Sequence, residues 1–192
     1  MAADPIRRFN RWLAEAGAIG IELPEACALA TADAAGRPSV RYVLLKDATA
    51  EGFTFFTDLR SRKGRELAEN ARAALAFYWH PDRQVRVEGT VERVTDEEAD
   101  AYWTTRCRER QLAARASEQS ADLEQRSLLS DTYRKEFKRW DGNEVPRPDT
   151  WTGFRIVPRR IEFWTRQEPR LHKREVFVRT AAGAWETKKL QP

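Results

Sequence analysis

The sequence predicts a mainly β, α+β protein built as an antiparallel barrel with peripheral helices. About eight or nine short runs of apolar and β-branched residues recur along the chain, separated by turns that contain Gly, Pro, Asn or Asp. Helical patterns occur at the start and then late, between residues 95 and 140, instead of alternating with every strand as in a parallel βαβ sheet. The 192 residues suffice for a single domain, 1–192, with its own hydrophobic core.

The composition is that of a globular protein, and its charge decides little about partners. Hydrophobic residues make up 41% of the chain and aromatic residues 10%. The 34 basic and 30 acidic residues leave a net charge of +4. This mild and scattered excess suits a small anionic ligand as well as nucleic acid, and the scatter weakens the case for a nucleic-acid partner, which we do not expect.

Cysteine and histidine usage indicates a reducing compartment and no metal site. Cys27 and Cys107 lie far apart without CxxC spacing, and the chain has only two histidines. No apolar run is long enough to span a membrane, and the N-terminus lacks the apolar core of a signal peptide. We therefore expect a cytoplasmic protein with free thiols and with neither a metal nor a membrane partner.

The first helix is predicted over residues 5–16. Asp4 is a candidate N-cap and Pro5 suits the first helical turn. Apolar residues recur at helical spacing from Ile6 onward, and Gly17 ends the pattern.

The barrel strands are predicted over residues 26–94. Apolar, β-branched and aromatic residues dominate the strand runs, and turn residues such as Gly36 and Gly52 separate them. A helix is predicted among these strands at residues 61–70. The predicted strands are 27–31, 39–45, 53–57, 73–79 and 84–94.

A helical insertion is predicted over residues 95–140. It opens with a capping box at Thr95–Glu98 and continues through a polar, helix-favouring stretch at 106–119. A longer helix at 122–140 carries an apolar stripe. The stripe consists of Leu129, Tyr133, Phe137 and Trp140. The C-terminal strands, over residues 151–190, are predicted at 151–157, 160–166, 174–180 and 184–190.

A cationic segment near the end of the chain is a candidate anion site. Arg170, His172 and Arg174 share one face if the segment is extended. Guanidinium groups are permanently charged and shaped to bind phosphate or carboxylate, and an imidazole can exchange protons near neutral pH. The alternative interpretation is a solvated edge strand with a structural histidine.

Two further groups of cations have the same chemistry. Arg41 and Lys46 bracket an apolar strand core. Ser61-Arg62-Lys63 stands at a predicted helix start, where free N–H groups and the helix dipole attract an anion. Cations are unfavourable at that position unless an anion offsets them. The alternative for Arg41 and Lys46 is that they are ordinary strand-end cations. The alternative for Ser61-Arg62-Lys63 is a chance cluster in a chain rich in Arg and Lys.

Two polar features complete the candidates. The Gln84 side chain offers both a donor and an acceptor, as recognition of an imide or amide ring edge requires. Tyr102 and Arg106 lie one helical turn apart, so that a phenol and a guanidinium can bind one phosphate together. Each of these residues is also compatible with a plain surface role.

Taken in order, these segments resemble the pyridoxamine/pyridoxine 5′-phosphate oxidase family over residues 5–192. The resemblance implies a split β-barrel FMN-binding fold with peripheral helices, assembled as a homodimer with two sites along the dimer interface. The matching segments are Ala30–Asp33, Gly36–Pro38, Arg41–Lys46, Phe55–Thr57, Ser61–Lys63, Arg83–Val85, Gln119–Ser120, Val145–Pro148, Ile161–Trp164 and Arg170–His172.

The resemblance also assigns roles to residues. Arg170 and His172 would be the catalytic residues, lying over the substrate near its reacting carbon. Lys46, Tyr102 and Arg106 would hold the substrate phosphate. The full substrate-binding set would be Lys46, Tyr102, Arg106, Arg110, Arg170 and His172. The implied FMN-binding residues are Arg41, Tyr42, Val43, Leu44, Lys46, Phe56, Thr57, Ser61, Arg62, Lys63, Gln84, Gln119, Ser120, Trp164 and Arg174.

The implied activity is oxidation of pyridoxamine or pyridoxine 5′-phosphate to pyridoxal 5′-phosphate, with O2 as acceptor and H2O2 as product. Arg110 stands where the family usually has a small hydroxyl residue, and Cys107, Arg115 and Lys173 also depart from its pattern. We expect no N-terminal lid of the kind the family often has. Two alternatives stay open: a related FMN-dependent oxidase with another substrate, as in phenazine biosynthesis, and a non-catalytic protein that binds flavin or pyridoxal phosphate.

Overall fold

The structure, a computed structural model, describes residues 4–192 and contains nine strands and five helices in that range. None of these helices is both long enough and apolar enough to cross a membrane. The helices are α1 (Pro5–Ala18), α2 (Arg62–Glu69), α3 (Asp96–Thr104), α4 (Arg108–Ala116) and α5 (Arg126–Arg139). The strands are β1 (Ala26–Ala32), β2 (Pro38–Leu44), β3 (Asp47–Ala48), β4 (Phe53–Asp58), β5 (Arg72–Trp79), β6 (Arg83–Arg93), β7 (Trp151–Thr165), β8 (Lys173–Arg179) and β9 (Trp185–Leu190).

The strand order shows that the antiparallel sheet curls into a barrel. Hydrogen-bonded neighbours run β2-β1-β5-β6-β7-β4-β3, and β8 and β9 extend the sheet beside β7. β2 and β3 therefore lie at opposite ends of the path, although only Leu45 and Lys46 separate them in the chain. Such a short connection draws the two ends of the sheet together, and the predicted barrel is confirmed.

Helix α1 packs into the barrel and anchors its core. The Phe9 side chain has no exposed surface, and its ring centroid lies 4.9 Å from those of Phe53 and Phe77. Both contacts are edge-on, the arrangement that aromatic rings prefer. The helix predicted over residues 5–16 continues two residues further, to Ala18.

The strands predicted over 151–157 and 160–166 are one continuous strand, β7. Pro158, which follows the first of the two predicted strands, lacks the N–H that a ladder needs. The register with the neighbouring strand β6 shifts at Glu88/Gly89, beside the proline, and this bulge lets pairing resume on both sides. The two-residue strand β3 was not predicted, because so short a run leaves no pattern.

The last helix of the insertion, predicted over 122–140, begins later and is less buried than predicted. Helix α5 packs mainly on α4, so one side of its apolar stripe faces solvent. Leu129 and Phe137 are 36% and 49% exposed, whereas Tyr133 and Trp140 pack against a small core. That core also holds α3 against the start of β7.

We expect Phe9→Ala to lower the free energy of unfolding by about 3–5 kcal/mol, because it leaves a cavity among fully buried rings. Ile19→Ala, just beyond the same helix and 71% exposed, should change it by less than about 0.5 kcal/mol. Urea denaturation of both variants measures the difference. Equal effects would mean that α1 does not anchor the core.

Candidate active site

A crevice of about 630 Å³ opens between β2, the end of β4, the start of α2 and the helical insertion. Most of the residues that sequence analysis assigned to a binding site line this one crevice. They are Arg41, Tyr42, Val43, Leu44, Lys46, Phe56, Thr57, Arg62, Lys63, Tyr102, Arg106, Arg110, Gln119 and Ser120.

The start of α2 places a buried cation at one end of the crevice. Ser61 is the N-cap and accepts the backbone N–H of Gly64 at 3.2 Å. The Lys63 ammonium, 7% exposed as a residue, donates to Gln119 Oε1 at 2.9 Å and to Thr57 Oγ1 at 3.1 Å. Burial, aided by a nearby guanidinium, lowers the pKa of Lys63 to about 8.

A second cationic group, formed by Lys46, Arg106 and Arg110, lies on the side of the helical insertion. The Arg106 guanidinium sits 4.7 Å from the centroid of the Trp151 ring, and its Nε is buried without a hydrogen-bond partner. Burial lowers the pKa of Arg106, and Arg110 lowers it further. Burial also lowers the pKa of Lys46, with smaller contributions from Arg110 and Arg106.

These cations form no direct ion pair within the described residues, and more distant carboxylates, Glu25 for Lys46 and Asp58 and Glu66 for Lys63, offset only part of the effect of burial on the two lysines. Across residues 4–192, no ion pair includes Lys46, Lys63, Arg106 or Arg110. A group of partly buried positive charges without counter-ions is unfavourable by itself. An anionic ligand would relieve both the repulsion and the lost hydration.

Stacked aromatic rings form one wall of the crevice. Phe56, at the end of β4, stacks on Tyr102 with ring centroids 4.0 Å apart and on Trp151 at 5.2 Å. Burial raises the pKa of Tyr102, so its phenol is a neutral hydrogen-bond donor beside the cations. The stack fixes the position of that donor.

Glu66 is a site residue that sequence analysis missed. Its carboxylate accepts hydrogen bonds from Arg62 Nε at 2.9 Å and Arg41 Nη2 at 3.1 Å. Burial favours the neutral acid, but hydrogen bonds from Ser39, Thr31 and the two arginines outweigh burial and lower the pKa of Glu66 to about 2. The i,i+4 spacing from Arg62 was a visible signal for one of these contacts.

The other predicted site residues lie on a second surface. Gln84, Trp164 and Arg174 are cross-strand neighbours on β6, β7 and β8. The His172 ring lies 4.7 Å from that of Trp164, and its Nδ1 accepts the backbone N–H of Gln167 at 3.1 Å. This surface was therefore correctly grouped, but within residues 4–192 none of its members lines the crevice.

The prediction that Arg170, His172 and Arg174 share the face of one strand is wrong. β8 begins at Lys173, and Arg170 lies in a turn with φ at +82°. That left-handed conformation is incompatible with an extended segment.

Strand β7 separates the two surfaces. Trp151 stands beneath the crevice at one end of the strand, and Trp164 belongs to the second surface near the other end. At the usual rise per residue, the 13 residue steps between them span up to about 43 Å. A single chain therefore does not bring Arg62 and Lys63 together with Gln84 and Trp164.

Two family models match the chain and together cover most of it. The first, described as pyridoxamine 5′-phosphate oxidase, matches residues 14–140. The second, described as the pyridoxine 5′-phosphate oxidase C-terminal dimerisation region, matches residues 151–192. The chain belongs to the pyridoxamine 5′-phosphate oxidase family and is an oxidoreductase of the type found in that family.

Curated relatives agree over the full length of the chain. The pyridoxine/pyridoxamine 5′-phosphate oxidase of Anaeromyxobacter dehalogenans is 52% identical over all of this chain and 96% of the relative. The protein of the same name from Zymomonas mobilis is 48% identical over the whole of both chains.

Solved structures share the fold. PhzG from Burkholderia lata 383, crystallised with tetrahydrophenazine-1-carboxylic acid, has a TM-score of 0.93 and 34% identity over 98% of this chain and 93% of its own. A pyridoxamine 5′-phosphate oxidase-related, FMN-binding protein from Nostoc punctiforme has a TM-score of 0.78 over the whole of both chains and 16% identity, which supports the fold alone. The split β-barrel predicted from the sequence is confirmed.

Because the pKa of Glu66 is lowered from 4.5 to about 2 on folding, the stability it contributes is complete above about pH 4.5 and is lost as the pH falls toward 2. Between pH 5 and pH 3 we expect the free energy of unfolding of the native protein to fall by about 2 kcal/mol more than that of Glu66→Gln. Urea denaturation at the two pH values measures this. Glu69→Gln, which removes an exposed carboxylate from the same helix, should behave like the native protein.

Proposed function

We propose that the protein is an FMN-dependent oxidase that converts pyridoxamine or pyridoxine 5′-phosphate to pyridoxal 5′-phosphate, with O2 as acceptor and H2O2 as product. The observation that carries the proposal is a single crevice with two groups of cations, of which, in the described part of the chain, only Arg41 and Arg62 pair with a carboxylate. This reaction brings two phosphates together, one on the cofactor and one on the substrate. Relatives about half identical in sequence carry the corresponding name.

The start of α2 fits the phosphate of FMN. Ser61 is fully buried and engaged as N-cap, so the first-turn N–H groups and the cations Arg62 and Lys63 remain to bind an anion. The Lys63 ammonium has only neutral hydrogen-bond partners, and such a phosphate would supply the negative charge that they lack. The remaining proposed cofactor contacts of the crevice are Arg41, Tyr42, Val43, Leu44, Lys46, Phe56, Thr57, Gln119 and Ser120.

The second cationic group fits the substrate phosphate. Lys46, Arg106 and Arg110 supply charge, and Tyr102 supplies a neutral donor from the same face of the crevice. The buried Arg106 Nε has no partner across the described residues, which marks it as a donor that a ligand would satisfy.

Bound FMN would supply the redox chemistry, accepting hydride from the substrate and passing the electrons to oxygen. The chain supplies orientation and charge. His172 accepts a backbone N–H at Nδ1, so its neutral form carries the proton on Nε2 and donates from there. We assign His172 and Arg170 to hold the polar edge of the substrate ring near the reacting carbon.

A homodimer would join the two surfaces. We propose that Gln84, Trp164, Arg170, His172 and Arg174 of one chain complete the crevice of the other. The match to a C-terminal dimerisation region supports this assignment. So do two exposed apolar side chains of β2, since Tyr42 and Val40 are 80% and 69% exposed.

A related oxidase with a carboxylate-bearing substrate is the second candidate. Arg110 adds a third unneutralised cation to the group that would hold a phosphate, which leaves charge for a further anionic group. The similarity to PhzG, whose crystal structure contains tetrahydrophenazine-1-carboxylic acid, also favours a carboxylate-bearing substrate.

Flavin content and anaerobic reduction test the proposed activity. We expect purified protein to be yellow, with about one FMN per chain, and anaerobic pyridoxine 5′-phosphate to bleach the flavin absorbance within seconds to minutes. Unphosphorylated pyridoxine is the matched control. A colourless protein that takes up no FMN would exclude the proposal, and bleaching by tetrahydrophenazine-1-carboxylic acid but not by pyridoxine 5′-phosphate would favour the second candidate.

Mixed dimers test whether two chains share each site. Arg106→Ala should inactivate the crevice, and the double variant Arg170→Ala/His172→Ala should inactivate the second surface. Random pairing of the two coexpressed chains should restore about a quarter of the native activity, because half of the dimers then hold one intact site. Each variant expressed alone is the control, and absence of restoration would place each whole site in a single chain.

A further inference from the structure

We infer that Glu66 is a positioning residue, which holds Arg41 and Arg62 in place for the phosphate of the proposed cofactor; this inference rests on the proposed FMN site. Glu66 does not line the crevice. It lies behind the two arginines, each of which does. Its contribution would therefore be made through them rather than by touching a ligand.

The carboxylate ties together two elements that are far apart in the sequence. Its Oε1 accepts from Arg62 of α2, and its Oε2 accepts from Arg41 of β2. The Ser39 hydroxyl lies within hydrogen-bond distance of both oxygens, at 2.8 and 2.6 Å, and the Thr31 hydroxyl also contacts Oε2. Four donors from two strands and a helix thus fix one carboxylate. That carboxylate is the partner that holds Arg62, and it shares Arg41 with other acceptors, such as the Leu29 carbonyl at 3.1 Å.

The way Glu66 holds Arg62 leaves the guanidinium ready for a ligand. The contact uses Nε alone, and in the described part of the chain neither terminal nitrogen of Arg62 has a hydrogen-bond partner. The Arg62 side chain is 64% exposed, so those two nitrogens are open to a phosphate. Without the carboxylate, this long side chain would sample many rotamers, and binding would have to order it.

Charge alone argues against a carboxylate in this place. A negative charge next to an anion site weakens anion binding, and Glu66 is buried and remains ionised. If Glu66 acted only through its charge, its removal would strengthen phosphate binding. If it acts by positioning, its removal weakens phosphate binding. The two roles therefore predict changes of opposite sign.

Flavin titrations of the Glu66→Gln apoprotein separate these roles. Glutamine keeps the size of the side chain but removes the charge that holds both guanidiniums. We expect FMN to bind about tenfold more weakly than to the native apoprotein, and riboflavin, which lacks the phosphate, to bind equally well. Quenching of flavin fluorescence measures both dissociation constants. Glu69→Gln removes the same charge from an exposed position on α2 and should leave FMN binding unchanged or slightly stronger.

A double-mutant cycle shows whether Glu66 acts through Arg62. In an Arg62→Ala background, Glu66→Gln should weaken FMN binding by clearly less than in the native background. Ser39→Ala leaves the carboxylate charge in place and removes one of its donors. It should cause a smaller loss that is again specific to FMN, and it provides the test if Glu66→Gln does not fold.

Several outcomes would overturn the inference. If the Glu66→Gln variant bound FMN as tightly as the native protein does, or more tightly, a positioning role for Glu66 would be excluded. Equal losses for FMN and riboflavin would mean a role in the stability of the barrel instead. In both cases the native protein still binds FMN, and the proposed function stands. A native apoprotein that binds neither flavin would overturn the proposed function and this inference together.

Discussion

Repulsion and lost hydration among partly buried cations that form no direct ion pair with the described residues are the constraint on which the rest of the site depends. Lys63 and Arg106 lose hydration without gaining a counter-ion, and burial lowers the pKa of both. The fold offsets part of this energy with neutral partners: an amide oxygen of Gln119 for the lysine, and the indole face of Trp151 for the arginine. An anionic ligand would relieve the remaining unfavourable energy. The electrostatics of the site therefore favour the binding of an anion.

Barrel closure brings these charges together. The connection at Leu45 and Lys46 spans from the first strand of the sheet path to the last, so β2 and β4 meet although four other strands separate them in the sheet. The helical insertion between β6 and β7 then covers the end of β4, with Trp103 donating to the carbonyl of Val145 at 2.7 Å. The crevice is the space that remains between these parts, and rigid elements hold its charged side chains.

Sequence analysis predicted the structural features that depend on residues close together in the chain. The barrel strands, the capping residues Asp4 and Thr95, and most of the crevice lining could be recognised because strand alternation, helix caps and short motifs are local. The long-range contacts could not be recognised. The Lys63–Gln119 hydrogen bond joins residues 56 positions apart, and the i,i+4 spacing from Arg62 signals only one of the contacts that Glu66 makes. The division of the predicted site residues between two surfaces could not be recognised either. A residue pattern does not show whether a side chain contributes to a site on its own chain or on a partner chain.

Strand β7 gives the proposed assembly a mechanical property. One end of the strand supports the aromatic wall of a crevice through Trp151, and the other end carries Trp164, which we assign to the partner's crevice. Hydrogen bonds to β6 on one side, and to β4 and β8 on the other, stiffen the strand along its length. In the proposed dimer, each β7 would therefore link two sites as one continuous, hydrogen-bonded strand.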